Sequence, residues 1–316
     1  MEENVAEASK ILESIIANVE RVIIGKRKTI ELALVSIISG GHVLIEDVPG
    51  TGKTSLVSSF ARSIDCSFKR IQFTPDVMPS DITGFSMYNP KTSSFEYKKG
   101  AVLNQFVQAD EINRTSSKTQ AALLEVMEEQ QVTVDGVTYN APKPFIVFAT
   151  QNPMEYVGTY QLPEAQLDRF FMCISLGYPS NENEKNIILN RKNDRPDTLL
   201  KPVASADDIL NIQASIDGIH LSPEVADYII KLTASTRFHP DISLGASPRG
   251  SLHLCKAAKA WALMQGRSYV IPDDVQQMAL PVLNHRMFIK RASKLKGANI
   301  EDVLRDIISR TPVPVV

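Results

Sequence analysis

Glu46-Asp47-Val48-Pro49-Gly50-Thr51-Gly52-Lys53-Thr54 lies between an apolar run, His42 to Glu46, and a helical pattern, Ser55 to Ile64. A strand, a Gly-rich loop and a helix start in that order form the setting in which backbone N–H groups and a helix N-terminus cradle phosphate. Gly50 and Gly52 let the backbone turn, Lys53 supplies a point charge, and the Thr54 hydroxyl suits a magnesium ion. The segment expected to wrap the nucleotide runs Pro49, Gly50, Thr51, Gly52, Lys53, Thr54 and Ser55. The strict motif has glycine six residues before the lysine; this chain has Asp47 there.

Working outward, further strand-like runs are Phe68 to Thr74, Val102 to Asp110, Pro144 to Asn152 and Phe170 to Leu176, with helical segments between most of them. Such alternation predicts an α/β fold with a mostly parallel sheet, whose ligand site lies at the carboxyl ends of the strands. Those ends hold polar residues. Asp110 and Glu111 close one run, where one carboxylate would hold the metal and the other polarise the attacking water. Asn152, before Pro153, closes another and would orient that water. Glu125, Glu128 and Glu129 follow on a helix whose apolar neighbours give them the spacing of a solvated face. Arg169 in Leu167-Asp168-Arg169-Phe170 and Arg249 in Ser247-Pro248-Arg249-Gly250 are guanidinium groups suited to phosphate.

Tyr178-Pro179-Ser180 ends the strand-rich region, which predicts a nucleotide-binding domain over 1–180 and a helical domain over 181–316. Ser222-Pro223-Glu224, Ser247-Pro248 and Pro272-Asp273-Asp274 each read as a helix N-terminus. The 34 basic and 36 acidic residues leave a formal charge of −2, which disfavours nucleic acid as an obligatory partner. No apolar run reaches the ~20 residues that span a bilayer, and the acidic start MEENVAEASK is unlike a secretion signal. The expectation is a cytoplasmic chain without membrane insertion. The three cysteines, Cys66, Cys173 and Cys255, form no Cys-x-x-Cys pair and are expected buried and reduced. The five histidines show no metal-ligand spacing.

The order of these signals resembles AAA+ ATPases of the MoxR group, along nearly the whole chain. The resemblance is carried by Glu46 to Thr54, Ala109 to Arg114, Gln120 to Glu129, Ala149 to Pro153 and Leu162 to Phe170. It implies an AAA+ P-loop NTPase with a parallel-sheet core and a C-terminal all-helical lid. It implies ATP and Mg²⁺ as cofactors, with Lys53 and Thr54 in Walker A, Asp110 and Glu111 in Walker B, and Asn152 as sensor 1. Arg169 would be the arginine finger reaching a neighbouring subunit, with Arg114 its rival. Arg249 would be the sensor 2 arginine, over the phosphates between the two domains. The resemblance further implies a homo-oligomeric, hexameric ring, a protein client, and a separate partner with a von Willebrand factor A domain. Asp81 to Gly100 and the hairpin-like Gln131 to Tyr139, with its Asp135-Gly136 turn signal, resemble that branch's insertions. They would face the ring surface or pore, or serve as ordinary surface hairpins.

The alternative is a nucleic-acid-stimulated AAA+ motor, for which Arg286 to Lys296 is the dense basic stretch. A surface for solubility or subunit contact is the plainer reading of that stretch. A non-hydrolysing scaffold is disfavoured by Glu111 and Asn152, and a GTPase by the lack of an Asn-Lys-x-Asp segment.

Overall fold

The computed structural model describes residues 2–152, 159–190 and 196–314. Two helices, Glu2–Glu20 and Arg27–Ile38, precede the strands. In chain order these are β1 (Val43–Glu46), β2 (Phe68–Gln72), β3 (Gly84–Asn89), β4 (Ser94–Lys99), β5 (Phe106–Asp110), β6 (Gln131–Val134), β7 (Val137–Asn140), β8 (Ile146–Gln151), β9 (Met172–Ile174), β10 (Ile242–Leu244) and β11 (Phe288–Ile289).

Five of them form one parallel sheet in the order β2-β5-β8-β1-β9. Its central strands are apolar on both faces because both are covered, as parallel sheets require. Alternate residues divide between two cores. Val43, Ile45, Ile146, Phe148 and Met172 pack with the N-terminal helices and helix Lys53–Ser63. Leu44, Val107, Val147, Ala149 and Cys173 pack with Leu123, Leu124, Val126 and Met127 of helix Ser117–Glu129. The first core continues into the C-terminal helices through Leu254, Ala258 and Met278, so the second half is packed onto the sheet.

The run expected as strand over 102–110 pairs only from Phe106. Gln105 explains the late start, since its amide accepts from Ser67 N–H (3.0 Å) and donates to the Lys143 carbonyl (2.8 Å). β3 with β4, and β6 with β7, are antiparallel hairpins joined by stacked Tyr97 and Tyr139, ring centroids 4.0 Å apart. The second turns through Asp135 (φ 51°) and Gly136 (φ 79°), the left-handed pair of a tight hairpin.

Among the described residues after β9 the regular structure is helical apart from a short antiparallel pair, β10 with β11, and an isolated bridge between His220 and Tyr269. Helices Pro223–Phe238 and Pro248–Met264 start on the capping hydroxyls of Ser222 and Ser247, which accept from Val225 and Gly250 N–H. Helix Pro272–Leu283 starts with its proline in the first turn. The stretch 286–296 is no continuous basic face. Arg286 is buried, Phe288 and Ile289 form β11, and Lys290 donates to the Pro240 carbonyl (2.6 Å). Cys173 is buried, whereas Cys66 and Cys255 are partly exposed. No helix among the described residues is long and apolar enough to cross a membrane.

Candidate active site

β1 delivers the chain to the loop, and Gly50 (φ 85°) and Gly52 (φ 91°) take left-handed backbone that side-chain-bearing residues rarely adopt. A Cβ at either would meet nothing within 4 Å, so backbone conformation rather than space demands glycine there. Lys53 begins the following helix and its ammonium donates to the carbonyls of Asp47 (3.0 Å) and Val48 (2.8 Å). The loop's own carbonyls thus hold its cation in place. Asp47, the departure from the strict motif, is buried. Its Oδ1 accepts from Val48 N–H (2.9 Å), and its Oδ2 from the N–H groups of Leu176 (2.8 Å) and Gly177 (2.7 Å). This carboxylate moors the loop to the segment after β9.

A cavity of about 360 Å³ opens beside the loop at the carboxyl ends of β2, β5 and β8, lined among others by Lys53, Thr54, Arg70, Asp110, Glu111 and Asn152. Pro49, Gly50, Gly52 and Ser55 line it as well. Thr51 instead donates within the loop to the Val48 carbonyl (3.3 Å). Pro153, which follows Asn152, lies outside the described residues.

Thr54 Oγ1 accepts from Gln108 Nε2 (2.9 Å). Asp110 Oδ1 accepts from Thr150 Oγ1 (2.6 Å), and its Oδ2 is ion-paired with Arg70 (2.5 Å). Thr54 and Asp110 offer oxygen donors only, the set that a hard divalent cation takes, so they fit Mg²⁺ beside phosphate. Glu111 has left-handed backbone (φ 56°), held where the Thr150 hydroxyl accepts its N–H (2.9 Å). Its carboxylate accepts from Gln72 Nε2 (2.7 Å) and pairs with Arg114 (3.2 Å). Thr150 therefore sets both acidic residues from the neighbouring strand.

Arg169 and Arg249 do not line this cavity. Phe171 N–H donates to the His42 carbonyl (2.7 Å), the residue before β1, so Arg169 lies at the amino edge of the sheet. Lys53 follows the carboxyl end of that same strand. With four residues in β1, about 3.3 Å each, the two edges are ~13 Å apart at least. Arg249 is on the same amino edge, which corrects the expectation that it covers its own subunit's phosphates. The reason is a tether: Ser247, the N-cap of its helix, donates to Asp168 Oδ2 (3.0 Å).

The same Asp168 is paired with buried Arg286 (2.9 Å), which also donates to the carbonyls of Phe170 and Phe171. Burial lowers the Arg286 pKa to about 10 against the opposing pull of Asp168. Burial, then the Arg286 and Arg249 charges, push His253 down to about 3. The cationic charge of this edge therefore rests on arginine and Lys256 rather than histidine. A cleft of about 220 Å³ here is lined by His42, Glu128, Arg169, Arg249, His253 and Lys256 among others.

Two family profiles match the chain: "ATPase family associated with various cellular activities (AAA)" over residues 42–172 and "AAA lid domain" over 234–307. Chaperone MoxR1 of Mycobacterium tuberculosis is 40% identical, covering 99% of this chain and 85% of its own. The chain belongs to the MoxR family of AAA+ ATPases. YeaC of Bacillus subtilis is 48% identical over 96% of this chain and 95% of its own. A crystal structure from Cytophaga hutchinsonii aligns with TM-score 0.93 at 38% identity, covering 99% of this chain and 98% of that one. In this MoxR-family ATPase the cavity also holds side chains to which the motifs assign no role: Arg70, Gln72 and Thr150. The signal for the first two was available in β2, where Arg70 and Gln72 stand two residues apart and so share one face of the strand.

Proposed function

We propose that this MoxR-family ATPase works as an assembled ring, hexameric and cytoplasmic, that remodels protein clients with a separate von Willebrand factor A domain partner. The observation that carries the assembly is the polarity of the sheet. Lys53 and Arg169 stand at opposite edges, so one subunit cannot bring both to one phosphate, whereas a neighbour's amino edge can face the loop. In this reading domain 1–180 binds ATP through Pro49 to Ser55 and domain 181–316 is the lid. Asn152 orients the attacking water and Glu111 takes its proton once the Gln72 and Arg114 donors yield. Thr54 and Asp110 would hold Mg²⁺, which would supply positive charge to screen the phosphates. Arg169 and Arg249 stabilise charge on the neighbour's nucleotide.

Client remodelling is supported by a relative named as a chaperone. Two measurements test the proposal. Turnover per subunit should collapse on dilution below the assembly concentration, and concentration-independent turnover would overturn the ring reading. Glu111→Gln protein held in ATP should accumulate polypeptide clients and the partner. DNA-stimulated turnover without such polypeptides would overturn the client reading in favour of a nucleic-acid motor.

A further inference from the structure

Glu128 has the look of a solvated residue at the end of helix Ser117–Glu129, yet its carboxylate spans the two arginines. Oε2 meets Arg169 Nη2 (3.2 Å) and Oε1 meets Arg249 Nη2 (2.8 Å). We propose that Glu128 is a positioning residue that holds Arg169 and Arg249 side by side as one phosphate-binding unit for the neighbouring subunit's ATP. The inference rests on the trans reading of Arg169 given above.

Three observations carry it. The backbones of both arginines are already bound together, since Asp168, next to Arg169, accepts from Ser247, which caps the helix bearing Arg249. That leaves the long side chains to be aligned. Two guanidinium groups brought this close repel each other unless a charge of opposite sign lies between them, and Glu128 supplies it. Finally, the bonds made leave donors over. Arg169 spends Nη1 on the Leu124 carbonyl (2.8 Å) and Nη2 on Glu128, while Arg249 is joined to Glu128 through Nη2. Each guanidinium carries five N–H donors, so the Nε edge of Arg169 and the Nε and Nη1 groups of Arg249 stay available to a triphosphate while Glu128 keeps hold. The carboxylate therefore orders the pair without using it up, which distinguishes positioning from a brake.

Glu128 is 40% exposed, as are its partners to a similar degree (33% and 41%). Ion pairs this exposed contribute little to stability, so their loss should alter geometry and leave the fold alone. In the full-length protein, Glu128→Gln removes the charge and puts an NH₂ donor in place of one of the two oxygens that meet the arginines. We expect turnover to fall about tenfold or more, because small misplacements of a charge-stabilising group are costly. The Kd for ATP at the variant's own loop and its Tm should stay at wild-type values. Glu128→Asp keeps the charge on a shorter reach and should fall between the two.

The decisive readout is a mixture of Glu128→Gln with Lys53→Ala subunits, which should regain turnover as intact Glu128 of one faces intact Lys53 of the other. Wild-type or raised turnover of Glu128→Gln overturns the inference, as does a mixture without recovery. An Arg169→Ala with Lys53→Ala mixture, run in parallel, separates the levels. Recovery there without recovery for Glu128→Gln removes Glu128 alone, whereas failure of both removes the trans reading itself.

Discussion

At the carboxyl edge of the sheet, Lys53, Asp110, Glu111 and Asn152 each lie within a few residues of a strand end, whereas at the amino edge Arg169 and Arg249 are drawn from the core and the helical domain. The first edge is made by secondary structure itself. A parallel sheet gathers the ends of β1, β5 and β8 at one place, and Thr150 then adjusts Asp110 and Glu111 by hydrogen bonds of 2.6 and 2.9 Å. The second edge is made by ion pairs across the chain, with Asp168 joining Arg286 and Ser247, and Glu128 joining the two arginines. In the proposed ring a nucleotide site built this way is divided: one edge would bind and the other would complete the site for a neighbour.

The comparison breaks most sharply at Arg169. Arg169→Ala should lower turnover by about a thousandfold, the scale at which a trans-acting arginine stabilises a transferring phosphoryl group, while ATP affinity holds. A mixture with Lys53→Ala should recover part of it at high protein concentration and lose it on dilution. Near-normal phosphate release by Arg169→Ala would move the role to Arg114, which stands at the carboxyl edge beside Glu111 (3.2 Å). Next in size, Glu111→Gln should slow turnover by about a hundredfold or more, the contribution of a general base. Titration calorimetry should find its ATP binding intact, and a matching loss of affinity would contradict the division of labour at that edge.

The two edges also differ in how far the sequence discloses them. Strand-loop-helix order, the glycines and the acidic pair announce the first, because each signal is local and backbone-driven. The sheet, its two buried faces and the helix starts at Ser222, Ser247 and Pro272 were legible for the same reason. Gln105 shows the limit, since its side-chain bonds to Ser67 and Lys143 delay β5 although the apolar run begins earlier. The amino edge is hidden because its contacts are distant. Glu128 has the spacing of a solvated face and is indeed exposed, but only the fold brings Arg169 and Arg249 to it. Arg286 belongs by composition to a basic stretch, yet the Asp168 carboxylate and four backbone carbonyls, of Asp168, Phe170, Phe171 and Val282, draw it inside.

A smaller effect separates the edges by pH. His42, at the start of β1, accepts the Val147 N–H at Nδ1 (3.0 Å) and is bonded at Nε2 to the Met127 carbonyl (3.0 Å), which suits the neutral ring. Burial pushes its pKa down to about 4 from the ordinary 6.5. The unfolded chain therefore binds the proton first. Stability is fully present above pH 6.5 and declines as the pH falls toward 4, by ~3 kcal/mol from this group at 1.36 kcal/mol per pKa unit. Denaturant midpoints measured from pH 8 to 4.5 should fall in that window. A profile equally steep in His42→Asn would show that other groups carry it.

The smallest predicted effect is the most counterintuitive, because Asp47→Gly creates the strict phosphate-loop motif and should nevertheless weaken the site. At this position the structure asks for an acceptor, not for backbone freedom. Val48, Leu176 and Gly177 direct N–H groups at the Asp47 carboxylate, and the Ser175 hydroxyl approaches it at 3.4 Å. Glycine removes all four bonds, and buried donors left without partners cost ~1–3 kcal/mol each unless water enters. With solvent close to the loop, we expect about 2 kcal/mol of lost stability in total and a several-fold weaker ATP Kd. Asp47→Asn is the sharper probe. Its single oxygen can serve Leu176 and Gly177 while its NH₂ faces the Val48 N–H, so it should lose about 1 kcal/mol. If Asp47→Gly instead bound ATP more tightly than wild type, the mooring of loop to β9 would be a passive contact. The carboxyl edge would then owe its loop shape to Gly50 and Gly52, and its contrast with the ion-paired amino edge would be sharper still.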